Sequence, residues 1–277
     1  MKRRTLMSAV GCGAAVAMVP ALAAKPAKRA KPSGAGKPSP ETAIGRIRTA
    51  GVLKVGVVQQ FPWSTMGADR AWKGFDIDVC NRLFADLGVR AEFVDSAWEQ
   101  AADDVVQKVV DIAARLWPMP RRALIVNFSH AYGTSQTTLV ANRQKAGDRT
   151  TLDAFNQPDD VIGVRGGSEG ERVVRMQLPK AQIRVVKDEV DALGDLESGQ
   201  LHAVVALTPL PEILAARASA LLVLPRAKPL VRHSEAFAVR VDDIDTLAFL
   251  NTWIGFSEET GWLAERRAYW FSGKALG

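Results

Sequence analysis

Strand-like and helix-like stretches alternate from residue 41 onward in this 277-residue sequence, which predicts an α/β protein. The alternation falls into two blocks, each the size of a small domain, separated by the polar residues 143–151. Hydrophobic residues make up 47% of the chain and charged residues 24%, the proportions of an ordinary globular protein. That composition excludes a disordered chain, a collagen-like fibre and a disulfide-dense miniprotein. Two α/β lobes are expected.

The first block opens with a strand over Val52–Val58. Phe75–Leu87 follows as a helix, because Val79, Leu83, Phe84 and Leu87 share one face and Gly88 supplies a stop. Ala91–Val94 reads as a short strand, and Trp98 to about Lys108 as a helix. The apolar run Val109–Leu116 then meets Trp117-Pro118-Met119-Pro120, where the prolines end regular structure. Thr137–Ala141 is the last strand before the polar break.

The second block repeats the scheme. Strands are expected at Val161–Val164, Gln182–Val186 and Ala203–Leu207, with helices from about Ser168 and over Val190–Glu197. Ala236–Val239 reads as a strand, and two helices close the chain, about Asp242–Phe256 and Gly261–Phe271. Leu247, Leu250 and Ile254 share a face in the first of these.

The formal net charge is +6, but its distribution removes the nucleic-acid reading it invites. Residues 1–40 hold eight bases and no acid, leaving 28 bases against 30 acids, a net −2, in residues 41–277. No basic nucleic-acid face is expected on the folded part.

Those first residues have the chemistry of an export signal. Met1–Arg4 form a positive start, Leu6–Val19 a short apolar stretch, and Ala21-Leu22-Ala23 a cleavage pattern. Residues 1–23 are therefore expected to be a signal peptide, removed near Ala23. The apolar stretch is too short to span a bilayer. Arg3-Arg4-Thr5-Leu6-Met7 also resembles a twin-arginine signal, so the general secretory and twin-arginine routes both stay open. Cys12 has too little apolar sequence before it for a lipoprotein cysteine. Residues 24–40, rich in Lys, Pro, Ala and Gly, read as a solvated basic linker. Past the signal a single cysteine remains, Cys80, expected to be a buried small hydrophobe.

Three constellations compete for the chemistry. Gly166-Gly167-Ser168-Glu169-Gly170 fits G-x-S-x-G between a strand and a helix, with His202 and His233 downstream, which admits a serine hydrolase using Ser168. The plainer reading makes Ser168 a helix cap at a glycine-rich turn, with an end suited to anions. The same glycines, with Asp188 and Glu189 about 20 residues on, faintly echo a dinucleotide fingerprint at the wrong spacing. His130, His202 and His233 lack metal-ligand spacing, so neither metal nor cofactor is expected.

The third signal is a series of pieces in a fixed order. Gly74-Phe75-Asp76-Ile77-Asp78-Val79 comes first, then Met119-Pro120-Arg121-Arg122-Ala123 and Asn127-Phe128-Ser129-His130-Ala131-Tyr132. Gly166-Gly167-Ser168, Leu178-Pro179-x-Ala181, Leu196-Glu197-Ser198-Gly199 and Ala236-Phe237-Ala238-Val239-Arg240 complete it. The series resembles the periplasmic solute-binding proteins of the amino-acid type, family 3 of the bacterial extracellular binding proteins, over about residues 44–272.

The resemblance implies a type II periplasmic-binding-protein fold. Lobe 1 would comprise residues 41–138 plus 238–277 and lobe 2 residues 139–237, with hinge strands at 137–141 and 236–240. It implies a monomer that binds an amino acid or related small carboxylate in the cleft and hands it to an inner-membrane ABC permease. Arg122 matches the family arginine that holds the ligand carboxylate. Phe61 and Trp63 match flanking aromatics, Arg115 and Trp117 fall at the strand end facing the cleft, and Gly167 and Ser168 are the lobe 2 contribution.

The pattern departs from the family in two places. The Ser/Gly-x-Thr run before the arginine is replaced by Ala114-Arg115-Leu116-Trp117-Pro118-Met119, which reads as one residue short. The aspartate that faces a ligand ammonium is Leu207, with Glu169 and Glu212 as conceivable replacements. An unpaired ammonium in a closed cleft would be poorly compensated, which favours an organic acid. The tail Trp253…Gly261-Trp262-Leu263…Tyr269-Trp270 is also similar to cyclohexadienyl dehydratases, lyases of the same fold that act on prephenate or arogenate. The position matching their proton-donating glutamate is Gly170, flanked by Glu169 and Glu171.

Overall fold

The structure is a computed structural model that describes residues 42–187, 189–224 and 229–272. The expected signal 1–23, the linker 24–40, Cys12 and Asp188 lie outside the described residues. Eleven strands are described: β1 Val52–Val57, β2 Thr65–Met66, β3 Trp72–Lys73, β4 Arg90–Asp95, β5 Ile112–Leu116, β6 Val126–Asn142, β7 Val161–Arg165, β8 Gln182–Val186, β9 Ala203–Leu207, β10 Leu221–Leu224 and β11 Val231–Arg240. The α-helices are α1 Ala43–Ala50, α2 Phe75–Leu87, α3 Ala101–Val106, α4 Pro120–Ala123, α5 Arg143–Ala146, α6 Glu169–Gln177, α7 Leu193–Glu197, α8 Leu210–Arg217, α9 Ile244–Glu259 and α10 Trp262–Phe271.

Nine strands form one sheet in the order β4-β1-β5-β11-β6-β9-β7-β8, with β10 also paired to β6, while β2 and β3 make a separate hairpin. The pairs β4/β1 and β1/β5 are parallel, as are β8/β7 and β7/β9. Each parallel group carries apolar clusters and helices of its own, which defines two α/β lobes.

In lobe 1, α2 lays Val79, Cys80, Leu83 and Phe84 against β1 and α9, and a second cluster joins Ala101 and Val105 of α3 to Ala113, Leu116 and Val126. In lobe 2, Val174 and Leu178 pack with Phe155 and β7, while Leu196, Leu210 and Leu214 form a further cluster with Val204 and Ala206.

The strands that pass between the lobes are β6 and β11. They pair antiparallel from Val231↔Thr137 to Arg240↔Val126, with register shifts beside Ala236. β6 has 17 residues, which spans about 55 Å of extended chain, and it pairs with β9 and β10 in lobe 2. The crossing is longer than the expected 137–141 because the polar stretch Asn127–Gln136 completes its ladder with β11.

Several expected elements are shorter. The helix expected from Trp98 to about Lys108 is Ala101–Val106, the one over Val190–Glu197 is Leu193–Glu197, and the apolar run Val109–Leu116 holds regular strand over Ile112–Leu116. α2, β8 and β9 keep the expected bounds. Direct contacts join the lobes beyond the hinge. Trp63 Nε1 donates to the Thr208 carbonyl at 3.2 Å, and Phe61 packs on the lobe 2 cluster that holds Leu210 and Leu214.

Candidate functional site in the interlobe cleft

The cleft lies beyond the carboxyl ends of β1 and β5 in lobe 1 and of β7 and β9 in lobe 2, where open α/β sheets place ligands. Its deep end holds a cavity of only about 30 Å³, lined by Gln60 and Trp117 on one side and by Arg165, Ser168, Glu169 and Leu207 on the other. Its mouth is a wider groove of about 550 Å³ between Val58, Trp98 and Glu99 of lobe 1 and Arg165, Gly166, Gly167, Ser168 and Lys187 of lobe 2.

The deep end is small because lobe 1 fills it with its own side chains. Arg115, in β5, is 1% exposed and has φ of 52°. Its Nε donates to Asp76 Oδ2 at 2.8 Å, Nη1 to Gln60 Oε1 at 3.0 Å and Nη2 to the Val58 carbonyl at 3.3 Å. The Tyr132 hydroxyl donates to the other Asp76 oxygen at 2.8 Å. Burial raises the Asp76 carboxyl above its ordinary range, and Arg115 and Tyr132 offset part of that rise.

Next to this pair lies a polar group built on the hinge. Glu235 of β11 accepts from Trp117 Nε1 at 2.9 Å and from the Ser135 hydroxyl of β6. It is fully buried, and desolvation pushes its carboxyl up to about 7. Trp117 stacks on the His233 ring at 3.7 Å between centroids. His233 is drawn down to about 4 by burial, offset in part by Glu169, so it is neutral at physiological pH.

The remaining residues singled out in the sequence divide between the cleft and the lobe interiors. Arg122 donates to the Trp98 carbonyl at 2.6 Å and to the Trp117 carbonyl at 3.4 Å, so its guanidinium ties together the two segments whose indoles wall the cleft. Trp63 is 1% exposed and packs edge-on against Phe75 and Phe271 in the lobe 1 core. The Ser168 hydroxyl accepts from the Glu171 backbone N–H at 3.1 Å, and the Gly167 N–H donates to the Glu171 carboxylate at 2.8 Å. Together they form a reciprocal cap on α6. No histidine hydrogen-bonds to Ser168 among the described residues, so its hydroxyl lacks a general base there. The Glu169 carboxylate is held by Arg172, whose hydrogen bond keeps it below the usual range. Glu212 is exposed in the first turn of α8. Leu207 lines the deep end, which presents an apolar surface there.

Sequence reasoning passed over Gln60, Trp98, Arg165, Lys187, His233 as a cleft group, and Glu235. Of these, Trp98 and Arg165 carry a usable signal, since each stands at or just past the end of a strand facing the cleft. Among the described residues no group of three His, Cys, Asp or Glu side chains is placed to hold a metal ion.

A two-lobed sheet joined by two hinge strands, with two of its cavities between the lobes, defines a type II binding-protein architecture. Residues 53–273 match the bacterial extracellular solute-binding proteins, family 3, and the chain belongs to that family. It is 25% identical to a cyclohexadienyl dehydratase of Pseudomonas aeruginosa, over 83% of this chain and 86% of that protein. It is 24% identical to the L-cystine-binding protein TcyJ of Escherichia coli, over the same shares. Among solved structures, an ancestral cationic amino-acid solute-binding protein superposes with a TM-score of 0.75 at 27% identity, covering 83% of this chain and all of that one.

Proposed function

We propose that the protein is the solute-binding component of an ABC-type uptake system in the periplasm, and that it takes a small organic carboxylate at the mouth of the cleft. The observation that carries this reading is the groove of about 550 Å³ shared by both lobes, with Trp98 on one wall and Arg165 and Lys187 on the other. An indole face, the Lys187 ammonium and Arg165, whose Nε lies 3.6 Å from the Glu189 carboxylate, suit a carboxylate with an apolar or aromatic body. Gly166 and Gly167 let the backbone approach it closely. Hinge motion about β6 and β11 would bring the two walls together over the solute.

Within this reading Arg122 positions the walls, holding the Trp98 and Trp117 segments at a fixed spacing. The apolar Leu207 and the neutral His233 offer no charge to an α-ammonium, and Glu169 and Glu189 of the cleft are already paired with Arg172 and Arg165, which favours an acid without an amino group over a standard amino acid. Binding without chemistry is favoured over a lyase. A lyase on this fold needs a carboxylic acid poised to protonate a leaving group. Glu169 lines the cleft but is held ionised by Arg172, and Glu235, whose carboxyl lies near neutrality, has both oxygens engaged beneath Trp117.

Tryptophan emission tests the reading, since Trp98 walls the groove and Trp117 stands beside it. Titration with aliphatic and aromatic carboxylates should give a saturable change for at least one of them, weakened at least tenfold in Arg165→Ala/Lys187→Ala. Saturation that survives this double variant unchanged would contradict the proposed groove.

A further inference from the structure

The surroundings of Arg115 form a complete recognition site for a planar cation. A guanidinium asks for acceptors around its rim and π-faces above and below its plane. Here the rim meets a buried carboxylate, an amide oxygen and a backbone carbonyl, one on each of its three nitrogens. The Trp98 ring lies 4.6 Å from the guanidinium carbon and the Trp63 ring 5.3 Å from it. Asp76, which supplies the charge, is 1% exposed and steadied by Tyr132.

The backbone beneath the cation is out of the ordinary. Arg115 has φ of 52° at a position inside β5, a conformation that glycine takes freely and an L-side chain takes at a penalty. The interactions of the side chain hold the residue there. Three walls of the cage, Val58, Gln60 and Trp98, also line the cavities of the cleft, so an emptied cage would open onto it.

We propose that this wall of the cleft is a guanidinium-binding site kept occupied by the chain's own Arg115, which acts as a tethered ligand. The chemical class it fits is a guanidinium or amidinium cation. While Arg115 occupies it, solutes with a cationic side chain find that place taken and are excluded. The proposal rests on lobe 1 residues alone and holds whichever solute the mouth of the cleft accepts.

The test vacates the cage and offers it a free cation. Arg115→Gly removes the side chain at a backbone position suited to glycine, and Arg115→Gly/Asp76→Asn also removes the charge that would bind the cation. Thermal unfolding of both variants and of the unaltered protein is followed against methylguanidinium chloride up to about 50 mM, with sodium chloride and tetramethylammonium chloride as controls. Arg115→Gly should gain about 3–6 °C at ten times its Kd for methylguanidinium, and neither of the other two proteins should gain. A folded Arg115→Gly that does not respond overturns the proposal, as does an equal gain in all three proteins. If Arg115→Gly is unfolded in buffer alone, methylguanidinium should restore its far-UV circular dichroism while tetramethylammonium does not. Failure to restore it also overturns the proposal.

Discussion

Replacing Glu235 with glutamine should flatten the pH dependence of stability, by an amount that follows from the burial of this one carboxyl. Glu235 goes from its ordinary 4.5 to about 7 on folding, because burial between β6 and β11 removes it from water. Between these values the folded chain binds more protons than the unfolded chain, so stability falls as pH rises through this window and levels off above about 7. The full loss is about 3 kcal/mol, most of which falls between pH 5 and pH 8. Arg115, Asp76 and Arg267 face the same carboxyl electrostatically and are unchanged by the substitution. His233 gives the opposite slope, since a histidine lowered to about 4 adds stability as pH rises from 4 toward 6.5. That contribution is common to both proteins and cancels in the comparison. Glutamine can keep both hydrogen bonds, with its oxygen toward Trp117 and its nitrogen toward the Ser135 hydroxyl. The assay is Tm against pH for the two proteins. The gap between them should change in favour of Glu235→Gln by about 5–10 °C from pH 5 to pH 8. Parallel profiles would refute the assignment of a buried, neutral Glu235 to the hinge.

Other substitutions test separate parts of the structure. Asp76→Asn leaves Arg115 buried without its counter-charge and should cost about 3–5 kcal/mol in urea unfolding, a cost that shrinks when Arg115→Gly is combined with it. Ser168→Ala should cost about 1 kcal/mol through the lost cap on α6, read as a lower unfolding midpoint at unchanged m-value. Gly74→Ala should be far more damaging. An added Cβ would lie 2.1 Å from the Trp63 carbonyl oxygen at a φ of 140°, and a loss of about 3 kcal/mol or more is expected by the same measurement.

How much of this was legible in the sequence depended on whether the forces involved were local. α2 kept its expected bounds because its apolar face, its Gly88 stop and its burial all agree. β8 and β9 did so because their short apolar runs are flanked by turn residues. β6 was underestimated because Asn127, His130, Thr134 and Gln136 give it no period-two apolar face, and its extended form comes from pairing with a strand about 100 residues away. α8, which the sequence reading did not include, begins beside Pro209 and Pro211. In the structure they sit at the start of the helix, where a missing N–H costs nothing.

The site shows the same division. Arg115 and Trp117 were expected at a strand end facing the cleft; Trp117 lines the small cavity between the lobes and Arg115 is buried behind it, and the partners of both were not visible in the sequence. Asp76 stands 39 residues from Arg115, and Glu235 stands 118 from Trp117. Phe61 and Trp63, two residues apart in the sequence, pack against the clusters of different lobes. No periodicity reports such a split. The absence of a carboxylate at Leu207 was legible, and the way Arg115 and Trp117 fill the space behind it was not.

The central claim is that this cleft binds a small carboxylate and leaves it chemically unchanged. The most direct test is a thermal-shift titration of the purified protein against amino acids, aliphatic and aromatic carboxylates and prephenate, with each active compound recovered after unfolding and analysed. A ligand at a hundred times its Kd should add roughly 2.7 kcal/mol, a shift of several degrees. The account predicts such a shift from a carboxylate without an amino group, and full recovery of that compound. A shift from prephenate alone, with its conversion to product, would contradict it.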